Sequence, residues 1–361
     1  MSYLQRSART YISKTRESAF NDSNTTGANY LRAISDTPLV TIPNIEWRDD
    51  QGRSGSEFAS SLCPTYWTSP GLALSTDVDF DLVGRLWLRA AGGTVTDSTV
   101  VSLLAGKHSA PMLDAASSLQ LPSFNFITVV EGSGASFRYT GAVVDQATLS
   151  RTGIETAKAN FNILGSGKHY APHGVTSLPS APSFSCLRPF GYLSYDDGSP
   201  VDLGADCDLR DWTITLNNNH NAANDRCNAD STQYGGDPSD TTTDLQAAYN
   251  SRLLHGDRTV TAQVTVLIPA TTLAQWDDMI NGTDLTNFTF GARGADLDPG
   301  GTPATTYEFI KIIIPTSRFR QIVNVDNNGK AAIQCDLQPL TSGSSLITVE
   351  VQNSTIGNTF R

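Results

Sequence analysis

The chain has 361 residues, a formal net charge of −11 and only 17% charged residues, so it is long enough for one large domain or two smaller ones. An acidic balance of this kind excludes tight gripping of a phosphate backbone, which needs Lys and Arg to displace counterions. Ser, Thr, Asn, Asp and Gly fill the polar positions, a composition that suits short strands and turns better than helical bundles.

Residues 1–40 carry Arg6, Arg9, Lys14, Arg16 and Arg32 around "NDSNTTGAN". No sustained periodicity runs through them, which predicts a mobile or partner-bound arm rather than a core element. The opening "MSYLQRSARTYISKTRESAF" lacks the apolar core of a signal peptide, and the longest apolar run, "FIKIIIP", is too short to cross a bilayer. From Val78, "VDFDLVGRLWLRA" sets Val78, Phe80, Leu82, Leu86 and Leu88 against Asp79, Asp81, Arg85 and Arg89. That alternation predicts a half-buried strand. A second strand is expected over "SFNFITVV" (Ser123–Val130).

The clearest hairpin is Tyr139–Leu164, whose second arm alternates Ala157, Ala159, Phe161 and Ile163 with Thr156, Lys158, Asn160 and Asn162. Gly153 in "SRTG" supplies a residue able to take positive φ in the turn. The arm runs on into "FNILGSGKHYAP", and "GKHSAP" occurs earlier at Gly106–Pro111. A phosphate loop needs G-x-x-x-x-G-K-[ST] between strand and helix. Here Asn162 holds the first glycine position, His169 holds the hydroxyl position, and Pro172 with Gly174 stops a helix from opening. The stretch therefore reads as a strand leaving its sheet through a Gly-Ser-Gly turn. Pro172 also denies His169 and His173 the helical face that would make them metal ligands.

A second unit follows. "CDLRDWTITLN" sets Trp212, Ile214 and Leu216 on one face, and "RTVTAQVTVLIP" sets Val260, Ala262, Val264, Val266 and Ile268 opposite Thr259, Thr261, Gln263 and Thr265. The long insertion between them, residues 217–256, is of a length that in a compact β domain carries function or is disordered; within it "TDLQAAYNSRLL" reads as a short amphipathic helix. A helix is predicted over "TTLAQWDDMING" from Leu273, Trp276 and Ile280, a threonine cap and the terminal Gly282. Strands then resume with "NFTFGAR", "YEFIKIII", "IVNVDNNGKAAIQCDL", which turns at Asn328-Gly329, and "LITVEVQN". The whole is mainly β, an antiparallel sandwich or barrel with one or two short helices.

Catalytic signatures are missing. Cys63, Cys186, Cys207, Cys227 and Cys335 show no CxxC spacing and read as reduced thiols. No G-x-S-x-G elbow occurs, and the acid pairs Asp49-Asp50, Asp196-Asp197 and Asp277-Asp278 sit beside turn or helix signals. No enzymatic activity, cofactor or metal is expected.

The hairpin "FRYTGAVVDQATLS…IETAKANFNILGSG", then "DLRDWTITLNNN…HGDRTVTAQVTVLIP", the helix "LAQWDDMI" and the late strands "YEFIKIIIP" and "AAIQCDLQPL" resemble the tail tube (major tail) proteins of long-tailed bacteriophages, siphophage-type. The likeness covers most of residues 75–352. It implies a structural virion protein, made in the host cytoplasm, whose rings join strands into one barrel and stack into a tube conducting double-stranded DNA during ejection. Other tail proteins (tape measure, terminator, tip) are implied partners, and no membrane is. Residues 41–185 and 186–361 are then two tube-like β domains after the arm 1–40, and three chains make a pseudo-sixfold ring; a hexamer of single units is the alternative. Expected lumen residues are Asp145, Thr156, Lys158, Asn160, Asp208, Arg210, Thr261, Gln263 and Thr265. Expected ring-to-ring contacts are Asn219, Asp225, Tyr234, Leu245 and Tyr249 in the loop, with Arg6 and Arg9 in the arm. The rival reading is a carbohydrate-binding or adhesive β-sandwich, fibre- or lectin-like, using Trp47, Trp67, Trp87, Trp212 or Trp276 as stacking platforms.

Overall fold

The computed structural model describes residues 8–22, 24–33, 44–49, 62–68, 71–101, 105–112, 120–130, 136–153, 155–166, 169–170, 172–180, 190–196, 200–202, 209–220, 253–267, 277–278, 281–298, 307–327, 329–341 and 345–354. Its strands are β1 (Ala8–Ser13), β2 (Tyr30–Ala33), β3 (Asn44–Asp49), β4 (Leu62–Thr68), β5 (Gly71–Asp77), β6 (Thr96–Val101), β7 (Ala105–Pro111) and β8 (Phe124–Val130). Then come β9 (Ser136–Thr152), β10 (Lys158–Leu164), β11 (His169–Tyr170), β12 (Phe190–Asp196) and β13 (Pro200–Asp202). The last are β14 (Leu209–Asn217), β15 (Thr259–Leu267), β16 (Leu285–Asp296), β17 (Tyr307–Asn327), β18 (Lys330–Leu340) and β19 (Thr348–Asn353). Helix α1 (Leu82–Ala91) lies between β5 and β6.

The helix corrects the sequence reading of a strand from Val78. Leu82, Leu86 and Leu88 fit an alternating pattern, but Leu82, Val83, Leu86, Trp87, Ala90 and Ala91 also recur at helical spacing. The ends decide between the two periods. Asp79 Oδ1 accepts the backbone N–H groups of Asp81 and Leu82 at 2.9 and 3.3 Å, and Gly92 closes the helix at φ 79° with its N–H on the Leu88 carbonyl. Arg85 and Arg89, assigned to a solvent face, are buried instead. Arg85 pairs with Asp81 at 2.8 Å and donates to the Lys14 carbonyl. Arg89 donates to the carbonyls of Ser13 and Lys14, both at 2.8 Å, with its guanidinium over the Phe124 ring. Burial pushes the Arg89 guanidinium down to about 9, still charged at neutral pH.

The end of β1 is what these arginines hold, and it belongs to the body of the protein. β1 pairs antiparallel with β2 and β8, and Tyr11, Ile12 and Tyr30 are buried. β1 and β2 are therefore part of the packed body, contrary to the arm expected over residues 1–40 from their weak periodicity. Two short strands flanked by partners elsewhere in the chain give little pattern of their own to read.

One sheet runs β5–β10–β9–β14–β15–β18–β17, every neighbouring pair antiparallel. A second runs β6–β7–β19–β17–β16–β12–β13, and a third β2–β1–β8–β9–β11. β3 and β4 form a separate two-stranded hairpin. The long strands β9 and β17 each serve two sheets, and their surroundings match. β9 has β8 on one edge of its first half and β11 then β10 along the other; β17 has β16, then β19 and β18, in the same places. β8 carries β1 and β2 outward as β16 carries β12 and β13.

β9 changes sheets at Gly141, φ 65°, where a methyl group would lie 2.1 Å from Asn21 Oδ1. The Glu17 carboxylate seals this corner, accepting from Asn125 Nδ2 (2.7 Å), Gly141 N (2.8 Å), Ser123 Oγ (2.5 Å) and Asn21 N (3.0 Å). Burial nevertheless raises its pKa above the usual carboxylate range. β10 leaves towards β11 through Gly165 and Ser166, the departure expected from sequence, with Ser166 buried and its hydroxyl within hydrogen-bond reach of Asn21 Oδ1 and the Thr140 carbonyl. The 9/10 hairpin also turns as expected, with Gly153 at φ 56°. Most of the second expected helix lies outside the described residues. Asp277, Asp278 and Asn281 are helical, Gly282 has φ 63°, and Thr283 N reaches the Asp278 carbonyl at 2.9 Å, a glycine-terminated end.

The shared core joins α1 to both halves of the chain. Trp87 meets Phe161 edge-on at 6.3 Å, and Trp212 meets Phe290 at 5.7 Å. At Gly84, a methyl group would lie 2.6 Å from Val351 Cγ1, so the helix rests directly on β19. Gly84→Val is expected to destabilise the dispersed chain by about 1–3 kcal/mol through overpacking. Urea unfolding measures this, and adding Val351→Ala should restore part of the loss.

Candidate functional site

The seven-stranded sheet has one dry face and one wet face, set by the period of two. On the dry face, one row across adjacent strands reads Ala159, Leu149, Ile214, Ala262, Leu337 and Phe319, all buried. On the other, a row crosses every strand of the sheet: Asp77, Lys158, Ser150, Thr213, Gln263, Asp336 and Gln321. A parallel row reads Ser75, Asn160, Thr148, Thr215 and Thr261, and another Thr152, Asp211, Thr265, Gln334 and Val323.

Hydroxyls and amides dominate this surface, and its few charges are engaged. The Thr148 and Thr215 hydroxyls meet at 3.0 Å across the β9–β14 ladder. Asp336 Oδ1 accepts Gln263 Nε2 at 2.8 Å, Asp211 Oδ1 accepts the Gly153 N–H at 2.8 Å, and Lys158 is the ladder partner of Asp77. The three carboxylates in these rows outnumber the one ammonium, a mildly acidic balance.

Five of the expected lumen residues, Lys158, Asn160, Thr261, Gln263 and Thr265, share this face. Thr156 stands at the hairpin tip, its hydroxyl 3.1 Å from Asp77 Oδ1. Asp145 lies at a bulge: the β9–β10 register steps over it, and its carboxylate accepts the His220 N–H at 2.8 Å and lies 3.1 Å from His220 Nδ1. Arg210 is a strand residue of β14 that the register with β15 steps over, and Asp208 lies outside the described residues. Sequence reasoning missed Thr148, Ser150, Thr213, Thr215, Gln334 and Asp336. Their signal was the same alternation, in "ATLSRT", "DWTITLN" and "IQCDL".

Of the expected ring contacts, Asn219 follows β14 in left-handed backbone (φ 51°) and donates through Nδ2 to the Asp257 carbonyl. Arg9 sits exposed in β1 opposite Val129. Arg6, Asp225, Tyr234, Leu245 and Tyr249 lie outside the described residues. The insertion is tied at its base. Gly256 N donates to the Asn218 and Asn219 carbonyls at 3.1 and 3.0 Å. Buried Asn218 donates to the Val144 carbonyl and accepts from Arg258 Nε at 2.7 Å. Arg258 Nη2 in turn caps the last carbonyls of α1, Ala90 at 2.5 Å and Ala91 at 3.1 Å, favourable at a helix C-terminus, while burial lowers its guanidinium to about 10.

Trp87 and Trp212, two of the candidate sugar platforms, are buried, and burial pushes the Cys335 thiol up to about 12. Among the described residues no group of three or more His, Cys, Asp or Glu is placed to hold a metal ion, and no helix is long and apolar enough to cross a membrane.

A family model described as phage tail tube protein matches residues 7–339 of the chain. No curated protein sequence matches it. Among solved structures, the SPP1 tail tube determined by solid-state NMR and cryo-EM is similar at 11% identity, over 59% of this chain and 78% of that one, with a TM-score of 0.19.

Asp211 ties the tip of the 9/10 hairpin to β14. Asp211→Ala should cost about 1–2 kcal/mol, the worth of a charge-assisted hydrogen bond to backbone. Faster amide exchange confined to Gly153 and its neighbours would report it, whereas unchanged exchange there would show that the carboxylate does not hold the tip.

Proposed function

The chain belongs to the phage tail tube protein family, and on that premise we propose that it closes rings with copies of itself, that the rings stack, and that the wet face of the seven-stranded sheet lines the channel through which double-stranded DNA leaves. It is a structural component of the virion tail; conduction, symmetry and assembly with tape measure, terminator and tip proteins are the proposed part. The observation that carries the reading is the row from Asp77 to Gln321, polar on all seven strands while the reverse face is dry. DNA carries one charge per about 1.7 Å of axis, so a wall with few free cations offers no counterions to release and lets the duplex slide.

The matched surroundings of β9 and β17 support a chain built of two tube-like units, 41–185 and 186–361, with the segment before residue 40 adding β1 and β2 as outer strands of the first. Three chains then form a pseudo-sixfold ring. The seven strands of the sheet with one further strand at each junction, tilted and spaced about 4.8 Å apart, would make a barrel of about 24 strands from three chains, with a lumen near 40 Å, wide enough for a duplex. The insertion 217–256 and the N-terminal segment are the proposed ring-to-ring contacts.

Electron microscopy of the purified protein over a concentration and salt series tests this. Hollow stacked rings of threefold symmetry are expected; a protein that stays monomeric throughout and binds glycans would overturn the reading in favour of an adhesive sandwich. The wall itself is tested by Thr148→Lys, Thr215→Lys and Gln263→Lys together. Tubes of the triple variant should hold duplex DNA, with a salt slope steeper by roughly 0.9 for each lysine that meets a phosphate. Equal DNA retention by both tubes would remove this face from the lumen.

A further inference from the structure

We propose that the junction between neighbouring copies repeats the ladder that joins this chain's own halves: the edge Arg320–Asp326 of β17 receives from a second copy, through its β3–β4 hairpin, the strand that β14 supplies to β9. The inference rests on the tube reading and names the surfaces that would close the ring.

The internal match is close enough to read one edge from the other. Both long strands carry a bulge at the same point. The register of β9 steps from Gln146 to Val144 over Asp145, and that of β17 steps from Gln321 to Phe319 over Arg320. Beyond the bulge, the edge of β9 that continues from β8 is occupied by β14. The corresponding edge of β17 continues from β16, and no described strand lies along Arg320–Asp326. Val323 stands on that stretch, 43% exposed, at the position equivalent to Thr148, which in β9 is matched by Thr215 of β14. An uncovered strand edge is an aggregation hazard unless something pairs with it.

The other rim of the sheet shows the same vacancy. β5 holds β10 as β15 holds β18, and β15 carries β14 on its far edge, where no described strand lies along β5. Parity then fixes what is missing. Seven antiparallel strands leave β5 and β17 running in the same direction, so copies related by rotation about a tube axis would meet as parallel strands. One inserted strand per junction makes the ring antiparallel throughout. In chain order β14 lies between β13 and β15, and the β3–β4 hairpin holds the same place between β2 and β5, outside all three sheets. The bulge residues differ in charge as well: Asp145 is met by His220, just beyond β14, whereas Arg320 is exposed.

Hydrogen exchange on dispersed and assembled full-length protein, with sedimentation of Arg320→Glu and Val323→Asp variants, tests the junction. Both substitutions are on exposed positions, and the melting temperature of the dispersed chain serves as the folding control. Assembly is expected to slow exchange together in Arg320–Asp326, Leu62–Thr68 and Gly71–Asp77, and each variant should raise the concentration needed for assembly at least tenfold with an unchanged melting temperature. Wild-type tubes in which Arg320–Asp326 exchanges as fast as in dispersed chains would overturn the junction while leaving the tube reading intact, as would a variant that assembles at the wild-type concentration. A wild-type protein that never assembles would sink both.

Discussion

Two strands that each serve two sheets set the architecture. β9 and β17 give their first halves to one layer and their second halves to another, and a strand can do this only where its backbone is allowed to turn. In β9 the turn is made at Gly141, and the price of bending a strand there is a set of backbone donors that lose their ladder. Glu17 takes up the Gly141 N–H together with donors from Asn21, Ser123 and Asn125. That carboxylate comes from the segment after β1, whose own end is held by Arg85 and Arg89 of α1. The helix, the first strand and the corner of β9 are thus one mechanical unit, and the wet face beyond the corner begins from it.

Seen from the core, the two halves cannot be separated without loss. The β9–β14 ladder crosses from one to the other, and Ala147, Leu149, Ile214 and Leu216 are buried on its dry side. Buried apolar area, at about 25 cal/mol per Å², outweighs what the polar face contributes through Thr–Thr or Gln–Asp contacts worth a few tenths to one kcal/mol each. The wet face is therefore held in place by what lies behind it rather than by its own side chains.

Strand content was legible because period-two alternation survives wherever one face is wet: "TVTAQVTVL" and "KANFNIL" lie in the sheet as they read. The failures have the same origin. Over Leu82–Ala91 both faces are buried, two of the polar residues being arginines that serve backbone carbonyls inside the protein, so alternation was mimicked by a helix whose polar side never meets water. β1 and β2 were invisible because their apolar residues, Tyr11, Ile12 and Tyr30, are too few to make a pattern and gain meaning only beside β8. The wet face was partly legible: residues on β10 and β15 stood out, while the bulge at Asp145 offsets the faces by one residue and leaves no mark in composition.

The collar at the base of residues 217–256 separates length from structure. Gly256 is hydrogen-bonded to Asn218, Asn218 to Arg258, and Arg258 to the end of α1, so the two strands on either side are already clasped before the intervening chain is considered. The entropy of closing a loop grows only with the logarithm of its length once its ends are fixed. Insertions and deletions between these ends are then nearly neutral for the sheet, which makes this a place where a foreign peptide could be carried without renegotiating the fold.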